Sequence, residues 1–332
     1  VVGTTLVAGF LALIPVAYTL APIYPWAYTN SRVRTMRKAV LKDEDIRAYL
    51  NRPYEDIVYD LEDKVIEDFS RYLSDNFTYA AVDNALRKHL ISTVDKLIRI
   101  TPNEANTFLK SYKERFDIRV LKNVVRYIGT VRTPGDLLIP QASLFSDAFL
   151  ENLTPTYQDV ANEIKHTKYY DLLEKHKEEI QNKEYVNFER SLNIMYLRNL
   201  RRNASTRYTK GYVKRKVDRL NLSTWLREDT TYLEGGLVPK QTLESEDYKT
   251  VQKAYASAGY STEDVERKDI ESVVKKDILQ YGKNLFSKAP HSEASTIGYL
   301  ILQIFSIEKL NILLKLKYHN TSTDIIAEAL DI

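Results

Sequence analysis

The 332-residue chain carries 44% hydrophobic and 28% charged residues with a net charge of +3, a balance that excludes disorder and leaves room for two or three ordinary domains. It has no cysteine, which excludes disulfides, thiol nucleophiles and cysteine metal ligands and fits a reducing compartment. Gly and Pro number only 10 each, so long helices are expected in place of a sheet-rich fold with its many turns.

The first 21 residues, VVGTTLVAGFLALIPVAYTLA, contain no charge. As a helix they measure roughly 31 Å, against roughly 30 Å for a hydrocarbon core. Leu6, Val7, Phe10, Leu11, Leu13, Ile14, Val16 and Leu20 together favour insertion by roughly 3–4 kcal/mol, about what one central Arg would cancel. Tyr18, Tyr24, Trp26 and Tyr28 gather at the exit as interfacial aromatics do, and Arg32, Arg34, Arg37 and Lys38 come next. Bases after the apolar run, not before it, argue against a secretory signal and hold the downstream chain in the cytoplasm. Residues 1–23 are therefore expected to form a single membrane-anchoring helix; a buried core helix is the alternative.

Beyond residue 40 the apolar positions recur at threes and fours. Val82, Leu86, Leu90, Val94 and Leu97 mark a helix over 79–99. Ala105, Phe108, Leu109, Tyr112, Phe116, Val120, Val124 and Ile128 mark the next, with Thr101 as its cap, Pro102 in the first helical position and Glu104 completing a capping box. Two long helices with a short turn make an antiparallel hairpin. The pattern recurs at 184–204 with 208–227 and at 263–287 with 293–317. In the last helix, Ile297 to Ile307 is apolar on all sides, too short to span a bilayer and therefore expected at the centre of the body.

An internal repeat underlies the hairpins. FDIRVLKNVVR (116–126), VDRLNLSTWLR (217–227) and IEKLNILLKLK (307–317) align an acid at Asp117, Asp218 and Glu308. One turn on stand Val120, Asn221 and Asn311, and a base ends each phrase at Arg126, Arg227 and Lys317, where the helix dipole favours it. A second phrase, GDLLIPQASL (135–144) and GGLVPKQTL (235–243), comes after the first two copies. The expected organisation is an apolar N-terminal helix (1–23) and three helical repeats (24–135, 136–235, 236–332). An acid–Asn pair of this kind is read as architectural, stabilising the helix and bonding a neighbour.

No catalytic constellation is found. There is no phosphate-binding Gly-rich loop and no nucleophile elbow, and His89, His166, His176, His291 and His319 lack the spacing of a zinc site. His291-Ser292-Glu293 sits at a helix start, where Ser292 and Glu293 serve as cap and dipole partner. No catalytic residue, cofactor, metal or small-molecule substrate is expected. One charge cluster stands out: Arg198, Arg201, Arg202, Arg207, Lys210, Lys214, Arg215, Lys216 and Arg219 face a single acid, Asp218, with Tyr208 and Tyr212 between them. It suits a partner surface, a solvated hairpin tip, anionic lipid or nucleic acid; a net charge near zero weighs against the last.

The chain resembles the C subunit of the archaeal (A-type) rotary ATP synthase, related to the d subunit of the vacuolar proton pump, from residue 24 to the C-terminus. Tyr28-Thr29-Asn30-Ser31-Arg32-Val33-Arg34-Thr35-Met36 is similar to that family's Y-x-N-A-R-V-R-A-M opening, with Ser31 and Thr35 replacing alanines. Asp218-x-x-Asn221 and Glu308-x-x-Asn311 resemble its acid-x-x-Asn-Leu phrase, from which Val120 departs. The resemblance implies an all-α funnel of three similar units about a pseudo-threefold axis, without an active site. It also implies a central-stalk position on the cytoplasmic face of the membrane. There the funnel would join rotor-ring subunits to central-shaft subunits and transmit torque, with lipid contacted through the N-terminal helix. The rival reading is a membrane-tethered scaffold or nucleic-acid binder using residues 198–219.

Overall fold

The computed structural model describes residues 24–37, 40–61, 78–129, 144–146, 149, 154–229, 231–245, 247–288 and 292–332. The apolar stretch 1–23, Lys38, Gly135 to Ser143 of the first GDLLIPQASL phrase and His291 lie outside the described residues. Among those described there are fifteen helices and no strand, so the fold is all-α.

Helix α1 (Tyr24–Met36) buries Thr29, Asn30 and Val33 and leaves Tyr28, Arg32 and Arg34 exposed. Short helices α2 (Asp43–Tyr49) and α3 (Tyr54–Asp60) precede the first hairpin, α4 (Tyr79–Ile100) with α5 (Asn103–Arg126). Helices α6 (Tyr157–Ile164), α7 (Tyr170–Lys175) and α8 (Lys177–Gln181) lead to the second hairpin, α9 (Val186–Arg202) with α10 (Arg207–Leu226). After α11 (Lys240–Leu243) and α12 (Tyr248–Ser257) comes the third, α13 (Ile270–Lys288) with α14 (Glu293–Tyr318), closed by α15 (Thr323–Leu330).

Local chemistry sets most boundaries. Thr78 accepts the Ala81 amide at the head of α4, Thr206 the Thr209 amide at the head of α10, and Ser292 the Ala294 amide at the head of α14. Two expectations are corrected. Thr101 does not cap α5: with only Thr101 and Pro102 between the helices, its hydroxyl donates to the Leu97 carbonyl and closes α4, while Pro102 takes the N-cap position of α5. Helix α13 begins at Ile270, not 263. The Asp277 carboxylate holds the Ser261 amide at 2.7 Å and its hydroxyl at 3.0 Å, folding the chain back along α13, and Asp264 turns in the left-handed region at φ 57°.

The pairing of the hairpins closes on itself. Besides their partners within each hairpin, α5 packs on α9, α10 packs on α13, and α14 packs on α4. The second helix of each hairpin thus lies on the first helix of the next, and the third returns to the first. Three cores follow this order. The end of α5 shares one with α6 to α9, including Val124, Val160, Leu173 and Phe188. The end of α14 shares another with α2, α3, α15 and the head of α4, including Ile57, Leu86, Leu310 and Ile326. The largest joins all three hairpins around Leu97, Tyr112, Val217, Ile278 and Leu300.

Helix α14 is the axis of that core, buried continuously from Glu293 to Ile307 as its all-round apolarity predicts. Among the described residues it alone is long and apolar enough to cross a bilayer, yet most of it is enclosed by other helices. Gly282 and Gly298 let α13 and α14 approach closely: a Cβ on Gly298 would lie 2.5 Å from the Phe286 amide nitrogen and 2.7 Å from the Gly282 carbonyl oxygen.

Candidate functional site

The repeated acid–Asn phrase does different work in each copy. In α10, Asp218 is fully buried and its carboxylate accepts the Leu237 amide at 2.9 Å, the Val238 amide at 3.1 Å and the Tyr260 hydroxyl at 2.8 Å. Asn221 gives and takes a hydrogen bond with the Leu233 backbone, both at 2.8 Å. The pair clamps the GGLVPKQTL segment onto the helix that precedes it. Gly236 is required there, since a Cβ would fall 1.9 Å from Asp218 Oδ1. In α14, Asn311 instead accepts the Tyr79 hydroxyl at 2.5 Å and donates to Asp83, tying the third hairpin to α4, while Glu308 lies 3.4 Å from Lys275. In α5, Asp117 makes no hydrogen bond or ion pair among the described residues; burial pushes its carboxyl up, and Val120 packs into the core.

The base ending each phrase also varies. Arg126 pairs with Glu189 at 2.6 Å, Arg227 is an exposed C-cap, and Lys317 donates to the Leu50 carbonyl. In α1 the two amide atoms of Asn30 are buried without a partner among the described residues. Of the histidines, His89 meets Gln303 at 3.0 Å, and His176 bridges Glu179 and Ser191, both at 3.0 Å, joining α8 to α9. No group of three His, Asp or Glu side chains among the described residues could hold a metal.

The basic run does not form one face. Arg198, Arg202, Lys210 and Lys214 are exposed on the outside of the second hairpin. Arg201, also exposed, donates to the Glu234 carbonyl at 2.9 Å, and Arg207 lies over Tyr208 at 4.8 Å. Arg215 lies 4.1 Å above the Tyr281 ring and donates to the Gly211 carbonyl. Lys216 and Arg219 turn the other way, into a cavity of about 520 Å³ between the hairpins.

That cavity is strongly basic. Helix α5 contributes Arg115, Arg119, Lys122 and Arg126, and α10 contributes Lys216 and Arg219. Glu271 from α13 is the lone acid in its wall, 3.8 Å from Arg219. Arg115 donates to the Tyr112 hydroxyl and lies 5.2 Å from that ring; Lys122 donates to Asn193 at 2.6 Å. Burial, then Arg115 and Arg219, push the Lys216 ammonium down to about 7, against which Glu308 acts weakly. Burial also raises the Glu308 carboxyl, but Lys275, Arg115, Lys216 and Arg219 outweigh it and leave it below the usual carboxylate range.

The sequence reading missed the α5 cations. Their signal was present: positions 115, 119, 122 and 126 fall within a narrow arc of one helix face, at steps of four, three and four.

Comparison with known proteins matches residues 29–329 to the family described as ATP synthase (C/AC39) subunit. The C subunit of the A-type ATP synthase of Methanosarcina acetivorans is 29% identical over 214 residues, 61% of this chain and 58% of that protein. That of Methanocaldococcus jannaschii is 22% identical over 96% of this chain and 90% of its own length. That of Pyrococcus abyssi is 25% identical over 88% and 86% respectively. With matched residues running from α1 to α15, through all three hairpins and the cavity between them, the chain belongs to the ATP synthase (C/AC39) subunit family.

Proposed function

We propose that this chain is a non-catalytic central-stalk subunit of an A-type rotary ATP synthase, seated between the membrane rotor ring and the central shaft on the cytoplasmic face. Its family and the names of its relatives supply the complex, and the closed order of hairpin pairing supports the adaptor role. An element that passes torque between ion flow and nucleotide chemistry must lose little of it to internal deformation. Three hairpins, each braced on the next and all packed on the α14 axis, meet that demand, because close-packed interiors are weakly compressible. The three units are taken as 24–135, 136–235 and 236–332 about a pseudo-threefold axis, with residues 1–23 anchored in or beside the ring and Arg32 and Arg34 at the interface.

Purification of the native membrane complex through a tag on this chain tests the assignment. Recovery of ring and shaft subunits together, retained through a moderate-salt wash, is the expected result. Recovery of neither, with the chain itself intact and folded, sinks the reading. Loss of the ring alone on deleting residues 1–23 is expected from the anchor; unchanged retention counts against it.

A further inference from the structure

The cavity between the hairpins holds more positive charge than the helices around it neutralise. Six cations line it against Glu271 in its wall and the Glu308 carboxylate beside Arg115, Lys216 and Arg219, which leaves an excess of positive charge, and the row from Arg115 to Arg126 runs about 16 Å along α5. Arg126 and Arg219 reach carboxylates, at 2.6 Å and 3.8 Å, but Arg119 and Lys216 make no hydrogen bond or ion pair among the described residues. Arg115, Lys216 and Arg219 are half-buried and Arg119 and Arg126 exposed, and like charges set this close together are stabilised when a counter-charge sits among them. Burial first, and then Arg115 and Arg219, push the Lys216 ammonium down.

We propose that this cavity binds a phosphate-chain anion, of the class represented by inorganic triphosphate, with Arg115, Arg119 and Arg126 of α5 and Lys216 and Arg219 of α10 around its oxygens. Guanidinium forks match phosphate oxygens in paired hydrogen bonds, and the row on α5 is longer than one phosphate can span. A volume of about 520 Å³ lies within the range of about 300–1,000 Å³ typical of small-molecule sites. Ile118, Leu197 and Leu220 add apolar surface to the cavity's lining. The site stands independently of the stalk assignment, since it rests on the chain's own charge distribution.

Titration calorimetry of the full chain in detergent, at about 150 mM salt, tests it with inorganic triphosphate as the probe. Saturable one-site binding is expected, weakened at least tenfold in Arg119→Gln/Lys216→Gln and unchanged in Lys249→Gln/Lys253→Gln, which removes two exposed cations of α12. The single variant Arg119→Gln, at an exposed position, is expected to weaken binding at least threefold and guards against misfolding of the double variant. Absence of binding to the wild-type chain, or equal affinity in the double variant, overturns the proposal. Tighter binding of a hexaglutamate peptide, lost in the double variant, overturns it in favour of an acidic protein segment.

Discussion

At the level of single residues, Asp218 carries the heaviest structural load of the motif acids. Three donors converge on a carboxylate with no solvent exposure, and Tyr255 donates to the Asp218 carbonyl at 2.7 Å. Removing the carboxylate leaves two amides and a phenol without an acceptor, so Asp218→Ala is expected to cost about 3–5 kcal/mol in urea unfolding. The corresponding Asp117→Ala, which breaks no hydrogen bond among the described residues, should cost less than about 1 kcal/mol. Equal losses would mean that the two acids serve one common purpose. The repeat made these positions visible in the sequence, but their different tasks were not, because Asp218 finds partners up to 42 residues away and Asn311 finds one 232 residues away. The cavity cations were legible as a helical face on α5. The apolar stripe of the same helix drew the reading first, and nothing in one helix says that Lys216 and Arg219 will face it.

Among the elements, the seam between α13 and α14 has the least freedom. Gly298 meets backbone atoms of α13, which cannot rotate away, whereas a Cβ on Gly282 would meet the side chain of Ile301 at 2.6 Å. Alanine gains about 1 kcal/mol of helix propensity over glycine, but prying two packed helices apart typically costs about 1–3 kcal/mol or more. Gly298→Ala should therefore lower the melting temperature by several degrees and Gly282→Ala by less. A stabilised Gly298→Ala protein would show that the helices can separate without loss. Helix existence and hairpin order were readable from 3.6-residue periodicity over long segments. The two misplaced starts, at Thr101 and near 263, both lie where a side chain serves an element other than its own: Thr101 closes α4, and Asp277 pulls on Ser261.

Across the molecule, electrostatic cost concentrates where the hairpins meet. Lys216 ordinarily titrates at 10.5, and burial with Arg115 and Arg219 brings it down to about 7, Glu308 opposing and Lys275 adding to the effect. Between these values the unfolded chain holds a proton that the folded chain has released, so stability rises with pH across the window. Thermal unfolding from pH 7 to about 9.5 should show this rise, and Lys216→Met should flatten it while stabilising the protein at neutral pH. Parallel pH profiles for the two proteins would place the cost elsewhere. The all-α class was readable from composition and periodicity; the cyclic order of the hairpins was not, because residues that pair at its closure are more than two hundred positions apart.

That closure bears on how the chain is made. The flank formed by Ile46, Tyr49, Ile57 and Leu86 is covered by Leu310, Leu313 and Ile326, which leave the ribosome more than two hundred residues later. Until then α2, α3 and the head of α4 wait with an apolar side open to water, a state that invites aggregation and slows folding through long-range contacts. So distant a final partner leaves that flank in need of cover, by a chaperone or by neighbouring helices, while the chain is being made.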